Sequence, residues 1–145
     1  MKKKVLFVCV HNSARGQMAE TLLNQMCGEV FEAESAGLEP GTLNPLAVEV
    51  LREIGIDIAG KETRAVSDVI ESGERFDYVI TVCDDSSAEG CPFFPGEAIR
   101  LHWSFPDPSK FRGSWANRLE QTRSVRDSIQ CRIEEFCGSN CRAVA

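Results

Sequence analysis

The chain has 145 residues, 43% of them hydrophobic and 26% charged, which is enough to build one hydrophobic core without disulfides or metals. We therefore expect a single domain over residues 1–145. Acidic residues outnumber basic ones by 22 to 16, and the net charge of −6 argues against nucleic acids and anionic membranes as partners. The longest apolar run, Val5–Val10, is too short for a membrane span or a signal peptide, so the sequence predicts a cytoplasmic protein.

The first half of the chain alternates strand and helix signals. Lys4–Cys9 is a continuous apolar run that predicts a strand buried on both faces in a parallel sheet. Apolar residues then recur at helical spacing at Met18, Leu22, Leu23 and Met26. Val30–Ala36 alternates weakly, as an edge strand does. A second helix begins at Asn44-Pro45 and stops at Gly55, and the residues that it should turn toward the core are Leu46, Val50, Leu51 and Ile54.

The second half predicts two further buried strands, Phe76–Val82 and Ala98–Trp103, with room for a helix between them, and then a long final helix capped by Ser114. The apolar face of that helix should consist of Trp115, Leu119, Thr122, Val125, Ile129, Ile133 and Phe136. Such an order predicts an α/β fold with an open four-stranded parallel sheet, flavodoxin-like in its strand order 2-1-3-4, and helices on both faces.

The chain has seven cysteines, an odd number: Cys9, Cys27, Cys83, Cys91, Cys131, Cys137 and Cys141. A static disulfide framework is not expected in a reducing compartment, so the thiols indicate redox chemistry or a metal, although no Cys-x-x-Cys spacing occurs. Cys9 and Cys83 end strands that the topology places side by side, about 4.8 Å apart. We therefore expect these two thiols to face one pocket at the carboxyl edge of the sheet.

A polar loop between the first strand and the first helix begins with Cys9 and ends with Arg15, in the pattern Cys-x5-Arg. Backbone N–H groups there, together with the helix N-terminus, can bind a tetrahedral oxyanion. Arg15 would clamp the anion, and the same field should lower the pKa of Cys9 and make it a thiolate nucleophile. The predicted oxyanion-binding residues are Val10, His11, Asn12, Ser13, Ala14 and Arg15. The alternative is a buried strand-end cysteine and a surface arginine, which the strand–loop–helix context disfavours.

These residues resemble a known family. Val8 to Arg15 followed by Gln17-Met18-Ala19-Glu20 is similar to the arsenate reductases built on the low-molecular-weight protein tyrosine phosphatase fold. Further matching motifs are Ser35-Ala36-Gly37, Asn44-Pro45, Ile54 to Ile58, Val82-Cys83, Cys91-Pro92, His102-Trp103, Asp107-Pro108 and Val125-Arg126-Asp127. The resemblance implies a four-stranded parallel sheet and Cys9 as the nucleophile.

The resemblance also implies a thiol relay regenerated by thioredoxin. Cys9 attacks the arsenic of arsenate, Cys83 then attacks Cys9 and releases arsenite, and Cys91 attacks Cys83 to form a disulfide that a reductant can reach. The alternative roles are packing for Cys83 and a plain loop thiol for Cys91. If the segment between them were helical, the two cysteines would lie about 12 Å apart, so it must loop or refold for the last exchange.

Asp107 is the candidate general acid, because an oxygen leaves arsenic or phosphorus more easily when it is protonated; the alternative is an Asp-Pro turn former. The chain has one tyrosine, Tyr78, in a strand, so the aryl-binding tyrosines that follow Asp-Pro in the phosphatases are missing. Two other functions stay open: a phosphatase on the same fold, and an oxyanion- or arsenite-binding sensor. A low-molecular-weight thiol with glutaredoxin is the alternative reductant.

We expect a monomer without a cofactor or metal. Some members of the family bind potassium, and Asn12, Glu20 and Ser35 match their ligands, but Ala65 replaces the aspartate, so we expect Asn12 to brace the loop instead. Gly16 replaces the usual serine beside the nucleophile. Cys27 is expected to pack in the core. Cys131, Cys137 and Cys141 could bind arsenite or a soft metal or form a redox relay, but their irregular spacing favours plain helix-end thiols.

Overall fold

The sheet has four parallel strands in the order β2-β1-β3-β4, as the sequence predicts. A computed structural model describes residues 2–82 and 96–141 of the chain, with side chains through residue 138. Its strands are β1 (Lys3–Cys9), β2 (Phe31–Gly37), β3 (Tyr78–Thr81) and β4 (Ile99–His102). Its helices are α1 (Arg15–Cys27), α2 (Pro45–Arg52), α3 (Val66–Glu71) and α4 (Trp115–Cys141), and Pro108–Lys110 forms one 3₁₀ turn.

The helices cover both faces of the sheet because side chains alternate along the central strand β1. Phe7 and Cys9 join the larger core with α1, α2 and α4. Leu6 and Val8 point to the opposite face and pack against Val66 of α3 and its neighbours. Both faces of β1 are thus buried, as its continuous apolar sequence predicts.

Local sequence signals correctly predicted where most of the helices and strands lie. The Asn44 side chain accepts a hydrogen bond from the Leu46 N–H at 2.9 Å, so the predicted cap of α2 is confirmed. Ser114 Oγ likewise accepts from the Asn117 N–H at 3.1 Å at the start of α4. The short helix α3 was not predicted. The helix predicted between the third and fourth strands would fall largely on residues 83–95, which lie outside the described residues.

Three predictions about burial are wrong. Ile54 is 42% exposed because α2 ends at Arg52, so Ile54 no longer follows the apolar face of that helix. Trp115 is 46% exposed at the first position of α4. Ile99 is 55% exposed because β4 is an edge strand rather than one covered on both faces.

The structure joins Cys27 and Cys137 in a disulfide, with their Cα atoms 6.3 Å apart. This corrects the expectation of free thiols at these positions. Cys27 ends α1 and Cys137 lies in the last part of α4, so the bond links two neighbouring helices across 110 residues of sequence. Cys131 is a free, exposed thiol. Within the two described ranges no helix is both long enough and apolar enough to cross a membrane.

Candidate active site

The loop from Cys9 to Arg15, called the anion loop below, connects β1 to α1 at the carboxyl edge of the sheet. A small cavity there is lined by the candidate nucleophile, most of this loop and the candidate acid: Cys9, His11, Asn12, Ser13, Ala14, Arg15 and Asp107. The structure thus brings together the site residues predicted for the first chemical step, except Val10, which is not part of the lining.

The backbone of the anion loop is held from outside by the segment that follows β2. Carbonyl oxygens of the loop accept hydrogen bonds from N–H groups of residues 38–44, at 2.7 to 3.1 Å, in the pairs Cys9–Leu38, Val10–Glu39, His11–Gly41 and Ser13–Asn44. The C=O and the following N–H of a trans peptide point in opposite directions. Carbonyls that face residues 38–44 therefore turn N–H groups of the loop the other way, which is the arrangement that an anion needs.

Cys9 lies at the base of this loop and is almost completely buried. Its Sγ accepts a hydrogen bond from the Asn12 N–H at 3.1 Å. Burial raises the pKa of the Cys9 thiol, while the Arg15 guanidinium and the N–H groups of Asn12 and Gly16 act to lower it. The direction expected from the sequence, a lowered pKa of Cys9, is therefore wrong. The sequence reveals the nearby donors but not the loss of water around the sulfur.

Arg15 is 4% exposed and already pairs with the segment that carries the candidate acid. Its Nη1 donates to the Phe105 carbonyl at 3.2 Å, and its Nη2 lies 3.4 Å from Asp107 Oδ2. Asp107 is also buried, and its Oδ1 accepts hydrogen bonds from both the N–H and the hydroxyl of Ser109. Because a guanidinium has five N–H donors, Arg15 can keep this pairing and still bind an anion.

Asn12 adopts a left-handed backbone conformation, with φ of 55°, and its side chain is anchored. Its Oδ1 lies 3.1 Å from Ser35 Oγ, in agreement with the expected bracing role. Ser35 Oγ also lies 2.7 Å from Glu20 Oε1, and Glu20 forms an ion pair with Lys61. The Lys61 ammonium thus already balances the Glu20 carboxylate, and Ala65 offers no second one. Asn12, Glu20 and Ser35 therefore do not fit a potassium ion.

Two residues matter to the site in ways that the sequence did not assign. Gln17 of α1 is 1% exposed and reaches back to the anion loop. Gly37, which ends β2 opposite Cys9, lies directly against the loop backbone. The sequence contains one signal for Gln17, namely a polar amide in a segment of the helix that is otherwise apolar. The Glu20–Lys61 ion pair described above has no such signal in the sequence, because its two residues lie far apart in the chain.

His11 is exposed, as expected, and its Nδ1 lies 2.9 Å from the Glu39 carbonyl oxygen. Cys83 and Cys91, the two predicted relay thiols, lie outside the described residues. The Cys27–Cys137 disulfide is a separate feature, because the 13 residues of α1 place Cys27 about 20 Å along the helix from the anion loop.

Known proteins resemble this chain over most of its length. The arsenate reductase of Bacillus subtilis (strain 168) is 39% identical over 139 residues, which cover 94% of this chain and 96% of that protein. A solved structure of an arsenate reductase in the phosphate binding state superposes with a TM-score of 0.76 at 30% identity, covering 94% of this chain and 98% of that one.

A thioredoxin-dependent arsenate reductase of Corynebacterium glutamicum superposes with a TM-score of 0.68 at 31% identity, covering 95% of this chain and 61% of that one. The family described as low molecular weight phosphotyrosine protein phosphatase matches residues 4–143. With the four-stranded sheet, the anion loop and Asp107 in place, the chain belongs to the low molecular weight phosphotyrosine protein phosphatase family.

Proposed function

We propose that this chain reduces arsenate to arsenite with Cys9 as the nucleophile, and that thioredoxin regenerates it. The observation that carries the proposal is the buried Cys9 Sγ at the base of an anion loop, beside Arg15 and Asp107. The 39% identity to a Bacillus arsenate reductase over nearly the whole chain supports arsenate as the oxyanion. The proposed compartment is the cytoplasm, where thiols are kept reduced.

In the first step, the arsenate oxygens bind the N–H groups of the anion loop and the Arg15 guanidinium. The Cys9 thiol passes its proton to a bound arsenate oxygen as its sulfur attacks arsenic, so that a sulfur–arsenic bond forms and one arsenic–oxygen bond breaks. Asp107 protonates the leaving oxygen, which departs as water. The 3.4 Å contact between Arg15 Nη2 and Asp107 Oδ2 supports these two roles, because both groups would then lie beside the bound anion.

In the second step, electrons pass from thiols to arsenic. The Cys83 thiolate attacks Cys9 Sγ, the electron pair of the sulfur–arsenic bond stays on arsenic, and arsenite leaves as arsenic(III). Cys91 then attacks Cys83, which frees Cys9 and forms Cys83–Cys91, and thioredoxin reduces that disulfide. The pairing of Val8 with Thr81 and the bond from the Val82 N–H to the Val8 carbonyl support this route, because they bring the chain that leads to Cys83 alongside β1.

Hydrolysis of aryl phosphates has less support on this chain. Tyr78, its one tyrosine, is buried in the core, with ring contacts to Phe31 and Phe136, and is not available to hold an aryl group. The anion loop by itself suits phosphate and arsenate equally, so the relay thiols are the feature that an experiment must address.

The test measures arsenate-dependent NADPH oxidation in the presence of thioredoxin and thioredoxin reductase. Cys83→Ser should abolish turnover, and Cys91→Ser should permit one reduction and leave Cys9 joined to Cys83. The matched control is Cys131→Ser, which changes a free, exposed thiol and should retain the full rate. Full turnover by the Cys83 variant, or Cys9 found joined to a cysteine of the C-terminal helix, would contradict the proposed relay.

A further inference from the structure

One carbonyl of the anion loop is held differently from its neighbours. The carbonyls of Cys9, Val10, His11 and Ser13 accept from backbone N–H groups of residues 38–44. The carbonyl of Asn12 accepts instead from a side chain, Gln17 Nε2, at 3.1 Å. This part of the loop therefore depends on the identity of a single residue of α1.

Gln17 bridges the loop to a second segment of backbone. Its Nε2 also donates to the Glu62 carbonyl at 3.2 Å, so both of its N–H bonds end on carbonyl oxygens. Its Oε1 is buried without a hydrogen-bond partner among the described residues. The opposite orientation of the amide would put an oxygen against two carbonyl oxygens, so the contacts allow only the orientation described.

The hydrogen bond from Gln17 to the Asn12 carbonyl fixes the direction of the Ser13 N–H. Because the Asn12–Ser13 peptide is trans and planar, the Ser13 N–H points away from Gln17. Asn12 has a φ of 55°, a conformation that costs free energy for a residue with a side chain and needs support from its surroundings. Gln17 supplies part of that support from inside the protein.

We propose that Gln17 is a positioning residue. Through its hydrogen bond to the Asn12 carbonyl it orients the Ser13 N–H toward the cavity in which the anion loop would bind an oxyanion. The inference rests on the proposed function in one respect, namely that the anion loop binds an oxyanion. The two hydrogen bonds that Gln17 donates go to the Asn12 and Glu62 carbonyls rather than to a group that takes part in the chemistry. Its effect reaches the anion through a single peptide plane, so it should change oxyanion affinity more than the rate of the chemical step.

The test uses inorganic phosphate as the probe and measures how well it protects Cys9 from alkylation by iodoacetamide. Gln17→Met keeps the length of the side chain and removes both donated hydrogen bonds. It should raise the phosphate concentration for half-protection about tenfold, equivalent to about 1.4 kcal/mol. In arsenate turnover, KM should rise by a similar factor while kcat stays within twofold.

The control is Asn24→Leu, which removes two amide–backbone hydrogen bonds from an exposed position on the same helix. Asn24 exchanges two hydrogen bonds with the backbone of Ala33 in β2, away from the anion loop. Its loss should lower the thermal midpoint and leave phosphate protection within twofold. An equal loss of protection in both variants, or none in Gln17→Met, would overturn the inference.

A measurement on the unaltered protein covers the case in which Gln17→Met does not fold. The Ser13 amide resonance and the Gln17 side-chain amide resonances should both shift on titration with phosphate, and a Ser13 amide that does not move would overturn the inference. If phosphate does not protect Cys9 in the unaltered protein, the anion loop does not bind an oxyanion and the proposed function is refuted. That result differs from one in which phosphate protects Cys9 equally well in Gln17→Met, which refutes only the role of Gln17.

Discussion

Replacing Gly37 by alanine should displace the anion loop without altering any group that takes part in the chemistry. A Cβ at this position would lie 2.7 Å from the Asn12 nitrogen and 2.8 Å from both the His11 carbonyl carbon and the Val10 oxygen. Cβ contacts essentially never fall below 3.0 Å, and all three neighbours are backbone atoms that cannot rotate away. The clash must therefore move the loop or the end of β2.

The size of the movement sets the expected effect. Restoring an ordinary contact of 3.4 Å from 2.7 Å requires a shift of about 0.7 Å. A misplacement of about 1 Å near reacting atoms can cost about a hundredfold in rate, so kcat/KM should fall between roughly tenfold and a hundredfold. Overpacking of this kind costs about 1–3 kcal/mol, which corresponds to a thermal midpoint lower by roughly 3–10 °C.

The assay combines thermal unfolding with arsenate turnover and phosphate protection of Cys9. Gly60→Ala is the control, because a Cβ there meets nothing within 4 Å and the change should be close to neutral. The reasoning is refuted if Gly37→Ala matches Gly60→Ala in both stability and kcat/KM, since the loop would then have room that the structure does not give it.

Arg15→Lys should lower kcat/KM at least a hundredfold, because an ammonium cannot contact Phe105, Asp107 and an anion in one plane; unchanged arsenate kinetics would contradict the clamp. Asp107→Asn should slow turnover by about 10²–10⁴-fold while phosphate still protects Cys9, and a pH–rate profile with the wild-type acid limb would exclude the general-acid role. Because burial raises the pKa of Cys9, the rate of its alkylation should still increase with pH above about pH 8.5. Arg15→Met removes a positive charge that lowers this pKa, so the midpoint of the pH–rate curve should move to higher pH. A wild-type midpoint below that of a free thiol would contradict this reasoning. Cys27→Ser should lower the thermal midpoint, because the bond to Cys137 closes a long loop. A reducing agent should lower the midpoint of the wild type but not that of the variant. Equal midpoints for the wild type and the variant would mean that the disulfide does not form in solution.

Short-range patterns in the sequence predicted the elements whose cause is local. The continuous apolar run of β1 predicts a strand covered on both faces, and both core clusters contain its residues. Asn44 caps α2 through its own side chain, two residues from its donor. Cys9 and Arg15 reach one cavity because one loop connects them. Such features depend on residues that are neighbours in the chain, so periodicity and capping rules apply to them directly.

Burial of individual positions depended on neighbours that sequence periodicity does not reveal. Trp115 continues the apolar spacing of α4, yet it is exposed at the first turn. Ile99 reads as part of a buried strand, but β4 lies at the sheet edge. Periodicity predicts which side chains share a face, but only the packed structure decides how far the facing element extends.

The sequence by itself determined the parallel sheet, its strand order and the loop that brings Cys9 and Arg15 to one cavity. Only the tertiary structure decided that Cys27 meets Cys137 across 110 residues, that burial raises the pKa of Cys9, and that Gly37 and Gln17 both contact the backbone of the anion loop. These features arise from contacts between segments distant in the chain. Close approach, lost solvent and the direction of a carbonyl are properties of packed atoms, and residue types and their spacing do not specify them.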